Sequence, residues 1–287
     1  LATTGCHSTS SQRTRADISS HVASRFGSDI GVQETAGDAL IPPGIVLNDG
    51  VSEDDAVQVA LWNNTVFQES LAQLGISNAQ LLDAGLIADP QFSLFFPLGA
   101  KQLEFTAFQA VDALWLQSIR VKAAELDVDR VTQSMVQNGL DVIRDARVAH
   151  ANLVAVTEQA EVAREAASLR QQIADLAQKR LNAGDISELE FTASRIDALQ
   201  AKAAAERAKH EVTLARERLR TVMGIALYGD SLPVVSELEL KGTSRDVDAL
   251  VDEALAMRPD LRAAEIAIEV AGERAGLARY QFMNLDA

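Results

Sequence analysis

Apolar residues follow a helical period through the middle of the chain, and little there interrupts a helix. Between Pro97 and Pro233 there is no proline, and residues 116 to 224 contain only three glycines. Two rows of apolar residues recur every seven positions and interleave at spacings of three and four, the pattern of a coiled-coil seam. One row is Val128, Met135, Val142, Ala149, Val156 and Ala163, and the other is Ala146, Leu153, Ala160, Ala167, Ala174 and Leu181.

A single Gly-Asp step interrupts this helical pattern. Gly184 stands where a helix C-cap favours glycine, and Asp185 stands where the next helix would have its N-cap, with Glu188 as the capping-box partner. The pattern therefore predicts a long antiparallel helical hairpin, with helices at 116 to 182 and 186 to 224. At about 1.5 Å per residue, the first helix would be roughly 100 Å long, so the hairpin must belong to something larger.

Further apolar residues lie outside the two rows. They include Leu126, Val136, Leu169 and Leu176. Because they add apolar surface beyond one seam, they indicate that the long helices contact more than one neighbour. The alternative is an isolated antiparallel coiled coil of two helices.

The segment before the long helices is rich in aromatic residues and alternates in polarity. Residues 92 to 115 hold six of the thirteen aromatic residues of the chain. The alternation predicts a two-strand hairpin near 91 to 98 and 102 to 112, and each strand is close to the roughly 9 to 11 residues that a tilted membrane-crossing strand needs. A soluble hairpin packed on a helix would show the same alternation. The candidate membrane-facing residues are Phe92, Leu94, Phe96, Phe105 and Phe108.

The regions that flank these elements are shorter or less regular. Residues 1 to 50 are predicted to form an N-terminal arm, since they are rich in Ser, Gly and charge and contain Pro42-Pro43. A helix is predicted to start after Ser52 and to continue to about Ala84, with an interruption at Gly75. After the long helices, residues 225 to 247 form a short mixed connector, in which Leu232, Val234 and Val235 would form a strand or part of a short helix.

The sequence then repeats an earlier pattern. The run Ala60-Leu61-Trp62-Asn63-Asn64-Thr65-Val66-Phe67-Gln68 has the same layout as Ala254-Leu255-Ala256-Met257-Arg258-Pro259-Asp260-Leu261-Arg262. Residues 248 to 287 therefore read as the start of a second repeat, the first being residues 51 to 224. A second strand pair and a second long hairpin are expected to follow, so the pattern predicts a chain truncated in its second repeat.

Composition and charge narrow the classes of function. The net charge of −15 argues against a nucleic-acid partner, which would need clustered Lys and Arg. Acidic walls would favour cations if the chain lined a conduit, although acids on solvated helix faces would give the same composition. We find no apolar run long enough for a transmembrane helix, no phosphate loop and no Ser-His-Asp arrangement. The four histidines are scattered, so we expect no metal site, no cofactor and no enzymatic activity.

The only cysteine lies near the start of the sequence. The run Leu1-Ala2-Thr3-Thr4-Gly5-Cys6 is similar to the end of a bacterial lipoprotein signal, in which small residues precede a cysteine that is lipidated after cleavage. It departs from that pattern at Thr3, where leucine is usual. Cys6 is therefore a candidate lipidation site, and an unmodified cysteine in a polar arm is the alternative.

In their order and spacing, these elements resemble the TolC-type outer membrane efflux proteins, over roughly residues 41 to 287. The motifs that carry the resemblance are Ala60-Leu61-Trp62-Asn63-Asn64, the run Gln102-Leu103-Glu104-Phe105-Thr106 leading to Val111-Asp112, the segment from Arg180-Leu181-Asn182-Ala183-Gly184-Asp185 through Ile186-Ser187-Glu188-Leu189-Glu190, and Met257-Arg258-Pro259-Asp260-Leu261-Arg262. The implied fold class is mainly α, an α-barrel protomer with a membrane β-hairpin. The resemblance extends to lipoprotein members of the family.

The resemblance also implies a function and partners. It implies a homotrimer, when full length, whose strands cross the outer membrane and whose helices form a periplasmic tunnel for passive export of small solutes, either cations or drugs. It implies a periplasmic adaptor protein and an inner-membrane pump as partners, with residues 225 to 247 as an equatorial-type connector. Residues Gly184, Asp185, Ile186 and Ser187 would form the tip that contacts the adaptor. The runner-up is a soluble periplasmic coiled-coil adaptor or scaffold.

Overall fold

The structure, a computed structural model, describes residues 18–20, 24, 39–87, 91–95, 104–108, 111–226, 232–235 and 246–281. The elements are α1 (Glu53–Asn63), α2 (Thr65–Gly85), β1 (Gln91–Phe95), β2 (Glu104–Phe108), α3 (Val111–Asn182), α4 (Glu188–Met223), α5 (Val247–Met257) and α6 (Pro259–Gln281). The chain divides into two compact units, to both of which α3 contributes. The hairpin unit comprises Ser28–Thr65 and Leu140–Thr243, and the bundle unit comprises Leu1–Gly27, Val66–Gly139 and Ser244–Ala287.

The predicted long helices are present. Helix α3 is unbroken over 72 residues and α4 over 36 residues. On α3 the shared seam is the predicted one, since Ala149 and Leu153 lie in one buried cluster with Ala215 and Leu219 of α4. Closer to the turn, Arg170 Nη1 lies 3.5 Å from Asp197 Oδ2. Residues at equal distances from Gly184 therefore lie side by side, as in an antiparallel hairpin.

The turn between the helices corrects one sequence prediction. Gly184, at φ +78°, donates its N–H to the Leu181 carbonyl, and Asp185 donates to that of Arg180, which together form a Schellman C-cap. Because Asp185 closes this cap, it is not the N-cap of α4. Ser187 is the N-cap, and its capping-box partner is Glu190, not Glu188. Helix α4 therefore begins at Glu188, not at position 186.

The hairpin unit is held together by one buried cluster around the end of α4. It comprises Leu47, Val51, Ala56, Val59, Ala149, Leu153, Ala215, Leu219, Met223, Ile225 and Leu232. Residues of the predicted arm and connector thus contribute to the core. Val51 and Val234 form an isolated parallel β-bridge, and the buried His150 donates from Nε2 to the Val51 carbonyl at 2.9 Å. His150 therefore has a structural role.

The N-terminal region is not an arm throughout. Residues 18–20 and 24 are helical, and Ile18 is fully buried. Pro42 and Leu47 are also buried. The prediction of an arm rested on the high content of Ser, Gly and charged residues in the first fifty positions. That content is an average over the segment, and it does not reveal the few apolar residues that become buried.

The bundle unit packs α2, α3 and α6. Its buried apolar residues include Phe67, Leu71, Leu74, Leu81, Leu116, Ala123, Val128, Val131, Met135, Ala263, Ile266 and Val270. Gln117 Nε2 donates to the Gly85 carbonyl at 2.6 Å, and Lys122 forms an ion pair with Glu273. Arg274 Nη2 lies 3.6 Å from Asp127 Oδ2. These polar contacts join the three helices at the edge of their apolar core.

The strand pair is antiparallel over the described residues Gln91–Phe95 and Glu104–Phe108. Its register pairs Phe92 with Ala107 and Leu94 with Phe105. Val111 and Asp112, which the alternation placed in a strand, belong to α3. The spacing of Val111 and Trp115 is also compatible with one helix face, so polarity alone could not separate the two states.

Helices α1 and α2 are separated at Asn64, and the predicted interruption at Gly75 is wrong. Asn64 has ψ 114°, outside the helical range, whereas α2 runs through Gly75 without a break. Helices α5 and α6 are separated in the same way at Arg258, with ψ 115°. In both helix pairs, α1–α2 and α5–α6, the first helix has 11 residues. Asn64 and Arg258 also occupy equivalent positions in the two repeated sequence runs that begin at Ala60 and Ala254.

We predict that the two left-handed glycines differ in how strongly they resist substitution. Gly184→Ala should lower the free energy of unfolding by about 1–2 kcal/mol, the cost of a left-handed Cβ. Gly224→Ala should cost more, about 3 kcal/mol or above, because its φ is +70° and the added Cβ would also lie 2.1 Å from the Asn63 carbonyl oxygen. Urea unfolding followed by circular dichroism measures both. Equal losses would contradict the close approach at Gly224.

Candidate functional site

The candidate tip residues come together at the turn of the hairpin. Gly184, Asp185 and Ser187 are exposed, and Ile186 is half-buried. A Cβ at Gly184 would meet no atom within 4 Å, so this glycine is required by backbone conformation and not by crowding. The tip therefore presents a rigid, open end with caps on both helices.

Glu190 holds the start of α4 by reciprocal hydrogen bonds. The Ser187 N–H donates to Glu190 Oε2 at 2.8 Å, and the Glu190 N–H donates to Ser187 Oγ at 3.3 Å. The backbone bond from Ser187, followed by the bond from its hydroxyl, lowers the pKa of Glu190 from its ordinary value of 4.5, and Arg180 adds to the shift. The carboxylate is therefore the form that caps the helix.

The strand pair presents an apolar face to solvent. The register places Phe92, Leu94 and Phe105 on one face. Phe92 is 67% exposed and Phe105 is 64% exposed, and their rings stack with centroids 6.1 Å apart. On the opposite face Ser93 pairs with Thr106. An exposed face of this kind marks a surface that binds protein, ligand or membrane.

The other predicted site residues have different outcomes. Phe108 lies in β2, where it pairs in register with Gln91. Phe96 and Cys6 lie outside the described residues. The tip residues are thus brought together, and three of the five aromatic and leucine positions share a face.

One set of polar contacts, around Asn63 and Asn64, was not predicted from the sequence. Asn63 is buried and pairs with the backbone of Leu40, donating from Nδ2 to its carbonyl at 2.7 Å and accepting from its N–H at 2.6 Å. Asn64 Nδ2 donates to the Val222 carbonyl at 2.9 Å. With Gly224 in close approach, these contacts attach the end of α1 to the end of α4. The Asn-Asn pair inside the predicted helix was the available signal, because Asn side chains compete for backbone hydrogen bonds in a helix interior.

Two cavities are lined by charged residues. One, of about 350 Å³, lies in the bundle unit and is lined by Ser77, Gln80, Asp83, Ala84, Arg120, Ala123, Ala124, Asp127, Arg274 and Leu277. The other, of about 520 Å³, is a groove between α3 and α4 that includes Glu161, Arg164, Glu206, Lys209 and Arg216. Among the described residues we find no group of three His, Cys, Asp or Glu side chains arranged for a metal ion. Nor is any helix in these ranges long and apolar enough to span a membrane.

The chain shares its fold with solved membrane proteins. It superposes on a membrane protein from Pseudomonas aeruginosa with a TM-score of 0.68 at 16% identity, over 89% of this chain and 64% of that one. It superposes on the outer-membrane channel OprN with a TM-score of 0.61 at 16% identity, over 87% and 61%. For the Campylobacter jejuni outer membrane channel CmeC the TM-score is 0.55 at 17% identity, over 87% and 58%.

These similarities establish the fold. The predicted fold class, mainly α with a long antiparallel helical hairpin and a strand pair, is confirmed. The chain spans about three fifths of the length of the proteins it matches. The sequence matches no protein-family model and no curated protein.

We predict that Ser187→Ala raises the pKa of Glu190 towards its ordinary value, because one of its two hydrogen bonds from Ser187 is lost. Since the folded pKa lies below the unfolded one, this carboxylate stabilises the helix start at pH values above about 4.5, and the effect is lost as the pH falls through the folded pKa. Carbon-detected NMR titration measures the pKa. An unchanged pKa in the variant would contradict the capping role.

Proposed function

We propose that this chain is part of an outer-membrane channel subunit, a passive conduit for the export of small solutes, and that it is not an enzyme. The observation that carries the proposal is the fold shared with the channels OprN and CmeC over 87% of the chain. Its acidic charge favours cations over anions among the solutes, whether these are metal ions or other small molecules.

The strand pair supports placement in the outer membrane. Its apolar face is exposed in the described part of the chain, and a strand pair alone is only marginally stable in water. Lipid would cover Phe92, Leu94 and Phe105, while strands of neighbouring subunits would satisfy its two edges. The homotrimer of the TolC-type resemblance would supply those neighbours, with the long helices extending into the periplasm.

The hairpin turn supports a role in contacting other proteins of an efflux system. We propose that Gly184, Asp185, Ile186 and Ser187 meet a periplasmic adaptor, which connects the channel to an inner-membrane pump. The open surroundings of Gly184 leave room for a partner at this end.

Two further features belong to the same proposal. We propose that Cys6 is lipidated and anchors the arm to the membrane; mass spectrometry that finds an unmodified Cys6 in the cellular protein would exclude this. We also propose that residues 248 to 287 begin a second repeat, since α5 and α6 match α1 and α2 in length and in the position of the break. The reading frame downstream of Ala287 tests this, because a second strand pair should be encoded there.

Membrane fractionation separates the proposal from its runner-up. After expression in a Gram-negative host, we expect the chain in the outer-membrane fraction and its release by detergent alone. Recovery of the chain from the soluble periplasm without detergent would instead favour a coiled-coil adaptor or scaffold.

A pair of adjacent substitutions tests whether lipid covers the strand pair. Leu94→Lys places a charge on the apolar face and should cost about 2–4 kcal/mol near the bilayer centre, so the amount in the outer membrane should fall. Ser93→Lys changes the neighbouring residue on the other face and serves as the matched control. Equal amounts of both variants in the outer membrane would contradict a lipid-facing Leu94.

Site-specific photo-crosslinking tests the tip. A benzophenone amino acid at position 186 should capture an adaptor in cells, whereas the same group at position 171, on the side of α3, should not. Capture at both positions or at neither, with the channel still in the outer membrane, would contradict a specific contact at the tip.

A further inference from the structure

The cavity of the bundle unit lies where α2, α3 and α6 meet, and we call it the bundle cavity. Its volume of about 350 Å³ falls within the range of about 300–1,000 Å³ that is usual for small-molecule sites. Helix α2 lines it with Ser77, α3 with Arg120 and α6 with Arg274, each among further residues. Three separate helices therefore contribute polar side chains to one enclosed space.

Small side chains leave the space open. Ala84 of α2 and Ala123 and Ala124 of α3 line the bundle cavity, and a larger apolar residue at any of these positions would fill part of it. Leu277 of α6 adds further apolar surface. Close packing normally removes such a space from the interior of a bundle. The combination of an apolar wall with a few polar groups is typical of ligand sites.

Two of the polar groups reach the same level of α3 from opposite sides. Gln117 Nε2 donates to the Gly85 carbonyl, so the end of α2 lies beside the start of α3. Ser77 is eight residues before Gly85, so it is level with the part of α3 about eight residues after Gln117. On the other side, Arg274 Nη2 lies 3.6 Å from Asp127 Oδ2, ten residues after Gln117.

Ser77 is a buried polar residue without a partner. It is only 3% exposed, and its hydroxyl makes no hydrogen bond within the described part of the chain. A serine inside a helix commonly donates to the carbonyl four residues before it, as Ser134 does to the Arg130 carbonyl at 3.1 Å. Because burial of an unpaired hydroxyl is unfavourable, the Ser77 hydroxyl indicates a ligand that would pair with it.

The charged groups at the bundle cavity leave one positive charge in excess. Arg130 Nε donates to Asp127 Oδ1 at 2.8 Å, so this carboxylate is already paired with an arginine from outside the cavity. Three arginines therefore stand against two aspartates, a sum of +1; they are Arg120, Arg130 and Arg274, and Asp83 and Asp127. The whole chain carries −15, so this positive charge is local. It favours a ligand with a single negative charge.

Arg274 is well placed to bind that charge. Its contact with Asp127 is an ion pair longer than a hydrogen bond, and it makes no hydrogen bond to any residue that the structure describes. A guanidinium carries five N–H donors in a planar arrangement that matches a carboxylate. Since Ser77 and Arg274 lie at one level, a single carboxylate can accept from both.

We propose that the bundle cavity binds a small organic monocarboxylate. Its carboxylate accepts hydrogen bonds from Ser77 Oγ and from the Arg274 guanidinium, and Arg120 adds positive charge. Its apolar part lies against Ala124 and Leu277. The ligand thus connects α2, α3 and α6. Because the positive charge is local in an acidic chain, this bound anion is separate from the cations that the proposed function favours for export, and the site does not depend on that function.

Isothermal titration calorimetry of the purified chain tests the ligand class. Benzoate or hexanoate should bind saturably, with one site per chain. Benzylammonium, which has the size of benzoate and the opposite charge, should not bind, and inorganic phosphate should bind at least tenfold more weakly because it has no apolar part. Absence of saturable binding of both carboxylates would overturn the proposal, and so would binding of benzylammonium or phosphate as tight as that of benzoate.

Substitutions at the cavity test the assigned contacts. Arg274→Gln should weaken benzoate binding about tenfold or more, and Ser77→Ala about threefold or more, because each removes donors to the carboxylate. Ala124→Leu should abolish binding by filling the cavity. Arg279→Gln changes an exposed arginine of α6 outside the cavity and is the matched control, with unchanged affinity. Circular dichroism confirms that the helices persist. Equal affinities of Arg274→Gln and Arg279→Gln would refute the site.

Arginine side-chain NMR of the unaltered chain gives a second readout. Addition of benzoate should shift the ¹⁵Nε signals of Arg274 and Arg120. The signals of Arg164 and Arg216, which line the groove between α3 and α4, are the internal control and should stay in place. Shifts at Arg164 and Arg216 without shifts at Arg274 would locate the anion in the groove and contradict the proposal.

Discussion

The structure depends on the burial of one apolar seam between α3 and α4. Intrinsic helix propensity alone would not keep either long helix folded in water, because most helical stability in proteins comes from packing an apolar face. The seam is rich in alanine, which lets the two backbones approach closely and keeps the pair narrow. At one end the seam is closed by the Schellman cap at Gly184 and the capping box of Ser187 and Glu190. At the other end Asn63, Asn64 and Gly224 attach α4 to α1.

The same hairpin leaves much apolar surface uncovered. Large apolar side chains are exposed on both long helices, among them Val162 and Leu169 of α3 and Leu189 and Leu214 of α4. The face of the strand pair that carries Phe92 is exposed as well. Exposed apolar faces of this kind mark surfaces that bind protein or membrane. Their periods differ: seven residues on the helices, which suits helical partners, and two on the strands, which suits a lipid-facing sheet. The surface chemistry thus favours an assembled membrane protein over a free scaffold.

Much of the fold could be predicted from the sequence because the relevant signals are local and periodic. The heptad rows of α3 predicted the seam, Gly184 predicted the turn, and the alternation of apolar and polar residues predicted the strand pair. The errors arose where the decisive contact is distant in sequence. At the break, Asn64 donates a hydrogen bond to the Val222 carbonyl, a contact that no local rule reveals. Gly75, a local helix breaker, lies within an intact helix. Asp185 takes part in the C-cap of α3, so Ser187 is the N-cap of α4 instead. The tip and the strand face were predictable as surfaces; their partners were not, since partners leave no local pattern.

The central claim is that the α3–α4 hairpin is one unit of an assembled outer-membrane protein. Electron cryo-microscopy of the protein extracted from the outer membrane tests it most directly. The account predicts rotationally symmetric particles whose wall is built from α3–α4 hairpins standing side by side with their Gly184 turns at one end. Single hairpins with no neighbours would contradict it. Neighbouring hairpins whose Gly184 turns point in opposite directions would contradict it too.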